Sequence, residues 1–136
     1  MEKRRDPVRR HAGALSAVLG LVLAGGAAAC ELPPGERVES ARLALSYRTE
    51  PPRIAVGQHF VLLLAACPKG GQPLPERVRM DAHMPEHRHG MNYRPTIATQ
   101  AAGRYRSEGW LFHMPGRWEF VFELGDERLT HGVRIE

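Results

Sequence analysis

The sequence predicts an all-β domain, a sandwich of about seven or eight short strands, behind an N-terminal signal segment. Three observations predict it. Apolar residues alternate with polar ones in several runs, most cleanly in Arg77-Val78-Arg79-Met80-Asp81-Ala82-His83-Met84. Gly and Pro punctuate the chain about every eight to twelve residues. No stretch carries a sustained helical period.

The first residues set the compartment. Lys3, Arg4, Arg5, Arg9 and Arg10 precede an apolar, small-residue run from Ala12 to Ala29 that ends in Ala27-Ala28-Ala29. That order is the basic, apolar and cleavage-site pattern of a secretory signal peptide over residues 1–29. The competing reading is an uncleaved anchor, but the run is Gly- and Ala-rich and short for a full span. The expected location is the periplasm or cell envelope. The whole chain carries a net charge of +4, with 19 basic and 15 acidic residues. Removing the five basic and two acidic residues of the signal leaves 14 against 13, or +1. The high isoelectric point therefore belongs largely to the signal, and no basic patch with interleaved aromatics argues for nucleic acid.

Residues 30–37, with Pro33-Pro34-Gly35, read as a linker, and residues 38–136 as one domain. Strands are expected at Arg42–Arg48, at Arg53–Gly57, and through Gln58–Cys67, a near-continuous apolar run of the kind that fills a central strand. In Arg77–Met84 the residues Val78, Met80, Ala82 and Met84 share one face, and Arg79, Asp81 and His83 the other. Pro85 ends that strand. Four more follow, over Asn92–Gln100, Gly103–Phe112, Arg117–Leu124 and Arg128–Ile135. The penultimate one places Trp118, Phe120, Phe122 and Leu124 on a single face. The two cysteines, Cys30 and Cys67, are expected to form a disulfide in an exported chain. The alternative makes Cys30 a lipid attachment site after cleavage, although Ala27 stands where a lipobox usually has Leu. Membrane association would follow only from that lipid or from an uncleaved signal.

The chemistry concentrates in Asp81-Ala82-His83-Met84-Pro85-Glu86-His87-Arg88-His89-Gly90-Met91, and again in Phe112-His113-Met114-Pro115-Gly116. Between them they hold four of the six His and three of the four Met left after the signal. Imidazole nitrogen with thioether sulfur suits a soft or borderline metal, above all copper; thioethers favour Cu(I), and imidazoles also let a site keep Cu(II). Met84, His87, His89, Met91, His113 and Met114 are the candidate ligands, provided the two strand ends lie side by side. Imidazoles bind metal unprotonated, so affinity falls below the ordinary imidazole pKa of about 6.5. Glu86 and Arg88 are expected in solvent. Taken singly, Met84 and Met114 read as core fillers rather than ligands, His59 as a strand-edge or core residue, His131 as exposed, and His87-Arg88-His89 as a polar turn. No nucleophile elbow, His-Glu-x-x-His or Gly-rich phosphate loop is present. Neither Cys is followed by the His and Met of a blue-copper loop. No enzyme activity is expected. The competing functions are an interaction or structural module of the cell envelope, and a zinc or nickel site built from imidazoles alone.

Met84-Pro85-Glu86-His87-Arg88-His89-Gly90-Met91, Gly103-Arg104-Tyr105 and Phe112-His113-Met114-Pro115-Gly116-Arg117-Trp118-Glu119 resemble the YtkA-like, FixH-like group of exported bacterial domains. The resemblance spans roughly Val38 to the C-terminus. It implies an immunoglobulin-like β-sandwich and a role in copper handling or in assembly of copper-containing membrane oxidases, with a protein partner for delivery. It carries Met84, His87, His89, Met91 and Met114 as site residues; His113 is added because it adjoins Met114. His89-Gly90-Met91 is also similar to the His-x-Met pair of periplasmic copper chaperones of the PCuAC type. There the further Met and His lie upstream, so that likeness is one of ligand chemistry only.

Overall fold

The computed structural model describes residues 29–136; the expected signal peptide lies, but for its last residue, outside them. The described chain is all β: β1 (Glu36–Glu39), β2 (Leu43–Glu50), β3 (His59–Pro68), β4 (Val78–Met84), β5 (His89–Gly90), β6 (Thr96–Ala101), β7 (Arg104–Leu111), β8 (Gly116–Leu124) and β9 (Glu127–Ile135). They form two antiparallel sheets, ordered β1-β2-β3-β7-β6 and β5-β4-β8-β9. The sheets face each other across one core, where Tyr47 of the first lies 5.3 Å from Phe120 and 5.2 Å from Phe122 of the second, centroid to centroid.

The alternation in the sequence decides which side chains fill that core. Met80, Ala82 and Met84 of β4 point inward, as do Trp118, Phe120, Phe122 and Leu124 of β8. Each fully buried Leu, Phe or Met contributes about 2 kcal/mol of transfer free energy, so a row of four pins the register of β8. A one-residue slip would expose the whole row. In β3, Phe60, Leu62, Leu64 and Ala66 face the core, while Ala65 and Cys67 on the opposite face are also buried. The segment before β1 accounts for part of that second burial. Ser46 Oγ donates to the Pro33 carbonyl at 2.6 Å, and Cys30 is disulfide-bonded to Cys67. The stretch read as a linker is thus held against the sheet, and Cys30 has no free thiol for a lipid.

Three elements differ from expectation. Arg53–Gly57 is a loop: Pro51 and Pro52 supply no N–H for a ladder, and Ile54 and Val56 pack on the core from outside any sheet. Strands β1 and β5 add pairings that the sequence pattern does not mark. His131, expected to be exposed, lies on the inward row of β9 and bonds the Tyr47 hydroxyl. Burial, with a smaller push from Glu36, raises the pKa of that phenol well above its ordinary value.

Candidate metal site

Both His/Met segments reach the same end of the sandwich. Strand β4 ends at Met84, and β8, its neighbour, begins at Gly116, so the chain leaving β4 and the chain entering β8 run close together. After Pro85 the chain folds back over Met84, whose carbonyl accepts from the His87 N–H at 3.2 Å and the Arg88 N–H at 2.9 Å. Arg88 takes φ +53° to make this turn. The two-residue strand β5 then pairs Met84 with His89 and His83 with Gly90. Met91 is fixed by its N–H, which donates to the Ala82 carbonyl at 3.3 Å.

The result is a row of three imidazoles. Ring centroids are 5.8 Å apart for His87 and His89, and 5.2 Å for His89 and His113. His113 comes from the second segment, so the row joins residues 24 or more positions apart in the chain. His113 Nδ1 is buried and has no hydrogen-bond partner among the described residues. A buried ring nitrogen left unsatisfied costs about 1–3 kcal/mol, and such an atom in a native fold calls for a ligand, ion or water. A metal ion held by neutral imidazole would satisfy it.

The methionines are placed differently. Met84 is 1% exposed and belongs to the hydrophobic core, in the role of a core filler. Its Cε lies beneath Gly116, where an added Cβ would approach it to 2.7 Å. Met91 and Met114 are half-buried and pack against the same core from its edge. Glu86 and Arg88 are exposed, as expected. His83 points to the outer face, where Nε2 lies 3.5 Å from Glu119 Oε1. His59 Nδ1 lies 3.2 Å from the Trp110 carbonyl oxygen at the start of β3. Among the described residues no three His, Cys, Asp or Glu side chains are arranged as a complete metal site. A donor of another type, thioether or backbone, or a rotation of one ring is therefore needed to close a coordination sphere. A cleft of about 710 Å³ between β2 and β9, lined by Tyr47, Arg53, Ile54, His131 and Val133 among others, contains none of the candidate ligands.

One residue of the site escaped the sequence reading. Trp118, fully buried, packs edge-on to both His89 and His113, with centroids 6.0 and 5.4 Å away and interplanar angles of 75° and 83°. Its Nε1–H donates to the Met114 carbonyl at 3.0 Å, and its ring stacks on Phe112 at 4.4 Å. The signal was present, since Trp118 stands four residues after Met114, but its alternation with Phe120 and Phe122 marked it as core. Compared with known proteins, the chain matches no family model and no curated sequence.

Proposed function

We propose that this is an exported copper-binding domain with an immunoglobulin-like sandwich of the YtkA-like, FixH-like kind, which holds copper at one end and passes it to a protein partner. The observation that carries the reading is the unpartnered, buried Nδ1 of His113 beside the His89 ring. His87, His89 and His113 supply the nitrogens, and Met91 and Met114 are the thioethers nearest the surface. Export rests on the basic and apolar pattern of residues 1–29, and delivery on the resemblance alone.

A second metal deserves a place because Met84 is sunk in the core. Fewer accessible thioethers weaken the preference for Cu(I), and three imidazoles also suit Cu(II) or Zn(II). Competition titrations with Cu(I), Cu(II) and Zn(II) on the intact chain decide between them. On the copper reading, His89→Ala and His113→Ala each weaken Cu(I) binding by at least the roughly tenfold to hundredfold typical of disturbed outer-shell partners, and Met114→Leu weakens Cu(I) more than Zn(II). If Zn(II) binds and Cu(I) does not, the imidazole-only reading stands. If neither metal binds, what is left is a β-sandwich interaction module.

A further inference from the structure

Resting on that metal reading, we infer that Trp118 is the positioning residue of the site, the point at which its two halves are locked together. Three contacts converge on this one indole. It is the shared floor of His89, from the first segment, and His113, from the second. Its Nε1–H holds the carbonyl of Met114, so the turn that carries His113 and Met114 is tied to the same ring. The indole is itself closely packed: it is fully buried and stacks on Phe112 at an interplanar angle of 15°. No other residue of the described chain touches His89, His113 and the Met114 backbone through interactions of this kind. Outer-shell groups that fix ligand orientation set metal affinity without binding the ion. A metal held by His89 and His113 would also quench the emission of an indole in contact with both rings.

The chain supplies its own control. Its only other tryptophan, Trp110, is equally buried and also spends its Nε1–H on one hydrogen bond, to Ser107 Oγ at 2.8 Å. Trp110→Phe therefore removes a comparable volume and hydrogen bond from the same core, at an indole that makes no ring contact with His87, His89 or His113. The experiment measures Cu(I) and Cu(II) affinity, Trp emission and melting temperature for the intact chain, Trp118→Phe and Trp110→Phe. The inference expects copper affinity to fall about tenfold or more in Trp118→Phe and to hold in Trp110→Phe, with both variants losing thermal stability. It also expects copper to quench the tryptophan emission of Trp110→Phe, whose sole tryptophan is Trp118, far more than that of Trp118→Phe. Copper binding that is equal in the two variants overturns the inference and leaves the metal reading intact. Absence of copper binding in the unaltered chain overturns both. Should Trp118→Phe fail to fold, an unquenched Trp110→Phe with copper bound overturns the inference by itself.

Discussion

Gly116 and Met84 show how tightly the core is built under the histidine row. Gly116 adopts φ +126°, which an L side chain rarely adopts, and a Cβ there would meet Met84 Cε at 2.7 Å. Met84 is closed in by the core and cannot swing into solvent. Gly116→Ala should therefore destabilise the fold by about 1–3 kcal/mol from backbone strain and overpacking, measured as a lower urea midpoint with unchanged slope. Met84 offers the complementary test. Met84→Leu keeps the volume and removes the sulfur, and a volume-conserving swap costs under about 1.5 kcal/mol. If Met84 is packing alone, the variant binds copper as the unaltered chain does. A large loss of Cu(I) affinity without unfolding would return its thioether to the ligand set.

Among the elements, the Pro85–Arg88 turn is sensitive to substitution. Its geometry needs Arg88 at φ +53°, which a β-branched residue resists. Arg88→Val should cost about 1–3 kcal/mol and should loosen β5, seen as faster amide exchange at Met91, whose N–H bonds the Ala82 carbonyl. The disulfide is the second element-scale device. Cys30 and Cys67 are 37 residues apart, and the loop-entropy account puts an upper bound of about 4 kcal/mol on its contribution. Paired Cys30→Ser and Cys67→Ser replacements should lower the melting temperature under oxidising conditions and match the unaltered chain under reducing ones.

The same scale shows what could be read in advance. β3, β4 and β8 were legible because each carries an apolar run or row that only a buried strand face explains. β1 was not, because Glu36, Arg37 and Glu39 are exposed and Val38 alone packs inward. β5 has two residues, too few for any period. Arg53–Gly57 misled because Ile54 and Val56 alternate like a strand yet pack as loop residues. At the site, ligand types and their clustering were visible in composition. The unsatisfied nitrogen of His113 and the shared contacts of Trp118 arise from pairing β4 with both β5 and β8, which spacing along the chain does not encode.

For the whole molecule, the two sheets are clamped at the end away from the histidines by a charged cluster. Ser40 Oγ and Arg42 both bond Glu127, and Arg42 also reaches Asp126 at 3.1 Å. The Ser40 hydrogen bond first, then Arg42, holds the Glu127 pKa below its ordinary value; Arg42 does the same for Asp126. Depressed carboxylate pKa values contribute stability above the unfolded value near 4.5, and that contribution is lost as pH falls through the folded value. Glu127→Gln should thus lower the melting temperature slightly at neutral pH, with the difference closing in acid. High salt should shrink it too, because these groups are solvent-screened.

The disulfide has one more effect, on orientation. Ala65 pairs with Arg104 at one extremity of the first sheet and His59 with Leu111 at the other, so Cys67 and the imidazoles occupy opposite extremities. The end of the domain that carries Cys30 is therefore the one far from the imidazoles. A surface that held the protein by its Cys30 end would leave the histidines turned outward toward an incoming donor or acceptor.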